Sequence, residues 1–128
     1  MNDLTSLTIT GFKISSDRLS LSWAYRSVAV ARSFQFPILS ANVLRGGQGV
    51  AVAESIDESA LRNAVVLNGD GTERFRVFSP IPENQVQGFC DFYYVGNELT
   101  AILITPGRDF AVVVDEINGG CLRYYETR

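Results

Sequence analysis

The sequence contains no histidine, and this absence removes several kinds of chemistry at once. Histidine is the commonest general base in enzymes, the commonest metal ligand and the usual partner of a serine or cysteine nucleophile. A serine or cysteine nucleophile activated by histidine is therefore excluded, as is a zinc site that uses histidine. We predict a non-enzymatic protein with no catalytic residue, no bound metal and no cofactor.

Cysteine is also scarce, since Cys90 and Cys121 are the only two in the chain. They lie too far apart in the sequence for the paired spacing of a zinc site. Each falls in an apolar, strand-like stretch, where a free cysteine behaves as a small hydrophobic residue. We therefore predict two reduced thiols in the core, which is typical of a cytoplasmic protein.

A basic surplus and a long hydrophobic run are both missing. Eleven basic residues face fourteen acidic ones, for a net charge of −3, whereas nucleic-acid-binding proteins usually carry an excess of basic residues. The longest uninterrupted apolar run, Phe110 to Val114, is far shorter than the roughly 20 residues that span a bilayer. The N-terminus does not have the pattern of a secretory signal. We expect neither direct nucleic-acid binding nor a membrane partner, and we expect a cytoplasmic location.

The chain does have enough apolar residues for a substantial core. It has 128 residues, of which 46% are hydrophobic and 11% are aromatic. This length fits one domain, and the composition argues against disorder. We therefore expect a single domain over residues 1–128.

The dominant hydrophobic period is two, which is typical of strands with one buried face. Leu19, Leu21 and Trp23 alternate with smaller residues, and Phe75 alternates with Val77 further along the chain. The Asn-Gly and Asp-Gly steps in Asn68-Gly69-Asp70-Gly71 are strong signals for a hairpin turn. The glycines of Gly46-Gly47-Gln48-Gly49 lead into an apolar stretch without a lysine, which indicates a turn rather than a phosphate-binding loop.

The C-terminal half contains four strand-like segments joined by short turns. These segments are 86–95, 99–104, 110–114 and 121–126. Because the connections are short, successive strands should pair as an antiparallel meander. Ser55-Ile56-Asp57-Glu58 matches a capping box, so a short helix should begin there and continue through Ala64. We predict a mainly β fold, a meander closed as a barrel or packed as a two-layer sandwich with one short helix. An α+β arrangement is the alternative.

Aromatic and acidic side chains supply the candidate binding surface. Tyr93 and Tyr125 lie in the C-terminal meander, and tyrosine is enriched at protein interfaces because it carries a polar tip on a large apolar body. Acidic residues in the loops could complement a basic partner. The predicted partner-binding residues are Asp57, Glu58, Glu83, Tyr93, Glu98, Asp109, Asp115, Glu116 and Tyr125.

The two C-terminal segments Gly107–Glu116 and Leu122–Arg128 carry a family resemblance. The chain resembles the small acidic immunity proteins of contact-dependent growth inhibition and related polymorphic toxin systems in bacteria. The resemblance implies a cognate toxin domain as partner, often a basic nuclease, bound at or near its active site. Acidic side chains would then take the place of substrate phosphates. These proteins share no set of functional residues, so the resemblance assigns no individual role.

Two other classes of function remain open from the residues. One is a small-ligand-binding or carboxylate-dependent catalytic β-barrel with an internal cavity. The other is a structural subunit of a larger bacterial assembly. A pocket lined by converging carboxylates or arginines would favour the barrel, whereas a flat acidic or aromatic patch would favour the protein-binding module.

Overall fold

The computed structural model describes residues 8–55 and 62–127, which form three antiparallel β-sheets. Sheet 1 contains β1 (Thr10–Ile14), β2 (Ser20–Tyr25) and β3 (Val28–Ser33). Sheet 2 contains β4 (Ile38–Val43), β5 (Gly49–Glu54), β6 (Ala64–Asn68) and β7 (Glu73–Arg76). Sheet 3 contains β8 (Gly88–Val95), β9 (Glu98–Thr105), β10 (Arg108–Val114) and β11 (Cys121–Glu126).

Each sheet is a meander in which neighbours in sequence are neighbours in space. The predicted hairpin at Asn68–Gly71 joins β6 to β7, and Gly71 adopts a φ of 91°, which favours glycine. Phe75 and Val77 are both buried, as their alternation predicts. The C-terminal meander is confirmed as sheet 3, with the strand order β11-β10-β9-β8.

Sheet 2 lies between the other two sheets, because its two faces belong to different hydrophobic clusters. Along β5, Val50 and Val52 pack with Leu21 and Trp23 of sheet 1. The intervening alanines pack with residues of sheet 3, a set that comprises Ala51, Ala53, Phe89, Phe92 and Leu103. Both faces of sheet 2 are therefore shielded from solvent, which explains why Val50 to Ala53 are all fully buried.

The mainly β prediction is confirmed, and of its two forms the sandwich is the one observed. No sheet closes into a barrel within residues 8–55 and 62–127, and the stack contains a third sheet beyond the predicted two layers. Helical structure in the described ranges is limited to a 3₁₀ turn at Glu83–Gln85, so the α+β alternative is wrong. The helix predicted from Ser55 falls mostly on residues outside those ranges, and its last residue, Ala64, begins β6.

Two buried side chains, Trp23 and Asn63, form hydrogen bonds that connect the sheets. The Trp23 indole N–H donates to the Gly69 carbonyl at 2.7 Å, which joins sheet 1 to sheet 2. The Asn63 amide donates to the carbonyls of Glu54 (2.7 Å) and Phe89 (2.6 Å), and its oxygen accepts from the Phe89 N–H at 2.9 Å. Asn63 therefore joins sheet 2 to sheet 3 from a fully buried position.

The prediction that both thiols belong to the core is wrong. Cys121 is exposed and Cys90 is only partly buried, although both are free thiols, as predicted. Cys121 is exposed because β11 is the outermost strand of sheet 3 and all six of its residues are exposed. Cys90 lies at a register shift between Phe89 and Asp91, where the regular alternation of faces is interrupted.

Candidate functional site

The site is built on the face of sheet 3 that points away from sheet 2. Residues paired across neighbouring strands share a face. One row across the sheet contains Tyr93, Thr100, Val113 and Arg123, and the next contains Asp91, Ile102, Ala111 and Tyr125. Asp109 and its partner Ile104 continue this face beyond the second row. We call this surface the outer face of sheet 3.

The two tyrosines predicted as a binding pair do lie on this one face. Tyr93 is 40% exposed and Tyr125 is 44% exposed, although they belong to the two opposite edge strands, β8 and β11. The strands between them carry the small residues Thr100 and Ala111, which are fully buried. Burial raises the pKa of Tyr93, and the nearby Tyr125 and Asp91 raise it further. The two tyrosines lie in adjacent rows of this face, with β9 and β10 between their strands.

Two carboxylates, Asp91 and Asp109, add negative charge to the outer face of sheet 3. Asp91 lies at the β8 edge of this face, close enough to the edge of sheet 2 to accept a hydrogen bond from the Ser40 hydroxyl of β4 at 2.6 Å. Burial raises the pKa of the Cys90 thiol, and the negative charges of Asp91 and Asp109 raise it further. Among the ion pairs of the described ranges, neither carboxylate has an arginine or lysine partner. Their charge is thus available to a cation from outside.

Glu98 lies on the same face but already has a cationic partner. Its two carboxylate oxygens accept hydrogen bonds from the Arg123 guanidinium, one of them at 2.9 Å. This contact lowers the pKa of Glu98 and raises that of Arg123. The pair links β9 to β11 across β10 and orients Arg123 on the outer face, on the same strand as Tyr125.

The remaining predicted residues that the structure describes, Glu83, Asp115 and Glu116, lie away from this face. Glu83 is in the 3₁₀ turn before β8, and Asp115 and Glu116 are in the turn after β10. Asp115 accepts a hydrogen bond from the Ile117 N–H at 2.8 Å, and Glu116 accepts one from the Tyr94 hydroxyl at 3.1 Å. Both carboxylates therefore support local structure. Asp57 and Glu58 lie outside the described residues.

Sequence reasoning missed Asp91 and Ile102. Asp91 comes two residues before Tyr93, so strand alternation alone would have placed both on one face. Ile102 could not be assigned without the pairing of β8 with β9, because both of its neighbours are also apolar.

An open groove of about 650 Å³ lies between the β2–β3 hairpin and the turns of sheet 2. Its polar groups already bond to one another: the Tyr25 hydroxyl donates to Gln48 at 2.6 Å, and Arg74 donates to Asn68 at 2.7 Å. Asp70 accepts from the hydroxyl and N–H of Thr72. These groups do not converge on a ligand. The groove therefore lacks the converging carboxylates or arginines that would favour a ligand-binding barrel.

Two further observations concern metals and membranes. Within the described ranges, no three cysteine, aspartate or glutamate side chains cluster closely enough to hold a metal ion. None of the helical structure described there is long and apolar enough to cross a membrane.

The arrangement of the three sheets can be compared with known proteins. A chain in the solved structure of Tne2 in complex with Tni2 superimposes on this one with a TM-score of 0.64. The fold is shared. The match covers 86% of this chain and 78% of that chain, at 18% sequence identity, so it concerns the fold alone. No protein-family model matches the sequence, and a search of curated proteins gives no significant match.

Proposed function

We propose that this chain is a non-enzymatic immunity protein that binds and neutralises a cognate basic toxin domain through the outer face of sheet 3. The observation that carries the proposal is the presence of two exposed tyrosines and two carboxylates without cationic partners on one sheet face. The protein would act in the bacterial cytoplasm, where a toxin reaches its target.

The chemistry of this face suits a protein partner. Tyrosine contributes a large contact area at low cost in conformational entropy, and its hydroxyl can form hydrogen bonds at the edge of an interface. Asp91 and Asp109 would pair with basic side chains, and negative charge also speeds the association of a basic partner. Because the face belongs to a packed sheet, it needs little rearrangement to bind.

The similarity to known proteins is consistent with this proposal. The sequence resembles bacterial immunity proteins in its last two strands, and the matching solved chain comes from a complex of two proteins. Both likenesses favour a protein as partner over a small molecule or a nucleic acid.

We assign the predicted residues to two groups within this proposal. Tyr93, Tyr125, Asp109 and the newly identified Asp91 would contact the toxin directly, with Glu98 holding Arg123 in place among them. The other predicted carboxylates would steer the approach of the toxin, and these are Asp57, Glu58, Glu83, Asp115 and Glu116.

The test uses the product of the adjacent upstream gene as the toxin probe. Tyr93→Ala should weaken binding by at least about 2 kcal/mol, close to 30-fold in Kd, as expected for a tyrosine central to an interface. Isothermal titration calorimetry measures the affinity, and co-production of the two proteins in bacteria measures the rescue of growth.

Phe78→Ala is the matched control, since Phe78 is 55% exposed and lies outside sheet 3. It should leave affinity and rescue unchanged. If the upstream gene product neither binds nor is neutralised, the immunity function is wrong. If it binds with equal affinity to both variants, the assignment of the face is wrong.

A further inference from the structure

Strand β3 is a free edge of sheet 1, and its pairing with β2 is regular along its whole length. The three sheets of the described ranges have six edge strands. The other five, β1, β4, β7, β8 and β11, each show a register shift in the pairing with their inner neighbour. Irregularities of this kind twist an edge and hinder the pairing of a further strand. β3 lacks this protection, and it contains neither proline nor lysine.

The backbone of β3 presents unpaired hydrogen-bonding groups to solvent. The Phe34 N–H, just after the strand, donates to the Leu19 carbonyl at 2.8 Å and so points toward β2. Because backbone groups alternate in direction along a regular antiparallel pair, those of Ala29, Ala31 and Ser33 point away from β2. All three residues are exposed, and their outward groups have no hydrogen-bond partner in the part of the chain that the structure describes. This edge can therefore accept another strand.

Side chains on the inward side of β3 form an apolar strip. Val28 and Val30 line the groove of about 650 Å³ between the β2–β3 hairpin and the turns of sheet 2, and Val28 is 62% exposed. Val30 packs against Gly71, so the β6–β7 turn lies on the sheet 2 side of the strand. On the opposite side, Ala29 and Ala31 carry only methyl groups, which leave room for the side chains of an added strand. An extended segment beside β3 would therefore cover Val28.

Arginines without acidic partners line the groove beside this strip. Arg26 lies over the Tyr25 ring, 5.2 Å from its centroid, and Arg74 donates to the Gln48 carbonyl at 2.9 Å. Neither arginine belongs to an ion pair of the described ranges. Among the described residues, Asp70 is the one carboxylate that lines the groove. The groove therefore has an excess of positive charge, although the whole chain has a net charge of −3.

Arg32 adds a further positive charge at the far end of β3. Its guanidinium donates to the Gly71 carbonyl, which holds it on the sheet 2 side of the strand and leaves the edge open. Burial raises the pKa of Glu54, and Arg76 and Arg32 oppose that rise, but the ion pair of Glu54 is with Arg76 at 3.7 Å. Within the described ranges, Arg32 has no ion pair of its own.

We propose that β3 binds an extended, acidic segment of a partner protein, which adds to sheet 1 as a fourth strand. The segment pairs with the outward backbone groups of β3, and every second side chain faces the groove. An apolar side chain suits the position beside Val30, and acidic side chains on either side of it lie near Arg26 and Arg32.

The distribution of charge favours an extended occupant. The arginines are spread along the strand and do not converge on one point, which suits a peptide segment better than a small molecule. Sheets 1 and 3 pack on opposite faces of sheet 2. The β3 edge is therefore separate from the surface proposed to bind a basic toxin, and its occupant carries the opposite charge.

Amide hydrogen exchange with a synthetic peptide tests the strand pairing. The probe is the end-blocked peptide Thr-Glu-Thr-Val-Thr-Glu-Thr, whose valine and glutamates share one face of a strand. With saturating peptide, the amides of Ala29, Ala31 and Ser33 should exchange at least about tenfold more slowly in NMR spectra, whereas those of Val30 and Arg32, already bonded to β2, should change little. Unchanged exchange at the outward amides would overturn the proposal. Their protection in the concentrated chain without peptide would also overturn it, because the occupant would then be a second copy.

Charge reversal tests the chemistry of the partner. Arg26→Asp should raise the Kd of the labelled peptide at least about tenfold in fluorescence anisotropy, and aspartate tolerates the positive φ of 52° at this turn position. Arg108→Asp makes the same charge change at an exposed position of β10 and should leave the Kd within about twofold.

A peptide with lysine in place of both glutamates should bind at least about tenfold more weakly than the acidic probe. Circular dichroism confirms that both variants of the chain are folded. Equal binding of the two peptides, or equal effects of the two substitutions, would show that an acidic partner is the wrong occupant.

Discussion

Asn63 shows how much one buried polar residue contributes to the packing of this molecule. Its side chain forms three hydrogen bonds to the backbone, two of them to Phe89 in the neighbouring sheet. No water can replace these bonds at a fully buried position without a rearrangement of the core. The interaction therefore fixes the distance between sheets 2 and 3 at one end.

Asn63→Leu should lower the free energy of unfolding by about 3 kcal/mol, because it leaves the buried N–H and carbonyl of Phe89 without that partner. Urea denaturation measures the change. Asn84→Leu, at an exposed position in the 3₁₀ turn, should shift stability by no more than about 0.5 kcal/mol. Equal effects of the two substitutions would contradict this role of Asn63.

The sequence predicts some individual residues well and others not at all. Strand-like segments and the properties of tyrosine predicted Tyr93 and Tyr125 as exposed residues of a binding surface, and both are exposed, while their role in binding stays a prediction. Nothing local to Asn63 marks it as buried, because its partners come from segments distant in the chain. The assignment of Cys121 to the core was wrong for a related reason: its neighbours indicate a strand, but only the sheet order shows that this strand is an edge.

At the scale of elements, β5 packs against a different sheet on each of its two faces, and the two faces carry side chains of different size. Its valines face sheet 1, and its alanines face sheet 3, where they pack among Phe89 and Phe92. Small residues on this side leave room for the aromatic rings of sheet 3. The alternation of Val and Ala along β5 thus reflects two different packing surfaces rather than one core face and one solvent face.

Ala53→Leu should destabilise the fold by about 1–3 kcal/mol, since a fully buried, closely packed site cannot accept the added volume without strain. Ala29→Leu adds the same volume at an exposed position of β3 and should have little effect. Thermal unfolding of both variants, followed by circular dichroism, makes the comparison. A neutral result for Ala53→Leu would mean that sheets 2 and 3 are separated by more space than the described packing indicates.

The elements themselves were largely predictable, but their arrangement was not. Turn residues such as Asn68-Gly69 specify hairpins through local backbone conformation, so the meanders follow from short-range signals. Which sheet packs on which depends on contacts between residues far apart in sequence. A barrel or a two-layer sandwich was expected because period two implies one face exposed to solvent, whereas β5 and β6 are buried on both faces.

At the scale of the whole molecule, the shared middle sheet couples both clusters of the core. Sheet 1 and sheet 3 each pack on opposite faces of the same strands. Loss of either cluster would expose one face of sheet 2 and weaken the other. We therefore propose that the described sheets unfold as one domain.

The single tryptophan provides the test, because Trp23 lies in the cluster between sheets 1 and 2. Its fluorescence and the far-ultraviolet circular dichroism should show the same midpoint in urea, as expected for a two-state transition. A fluorescence midpoint at lower urea would show that sheet 1 detaches first, and the single-domain proposal would then be wrong.

The double burial of sheet 2 also bears on how such a protein can change over evolutionary time. Substitutions in β5 and β6 are constrained by packing on both faces, so these buried strands should tolerate few changes. The outer face of sheet 3 carries no such constraint at Tyr93, Tyr125 or Asp109, which touch solvent. These exposed side chains could be replaced one at a time as a binding partner changes, while the buried strands β5 and β6 stay the same.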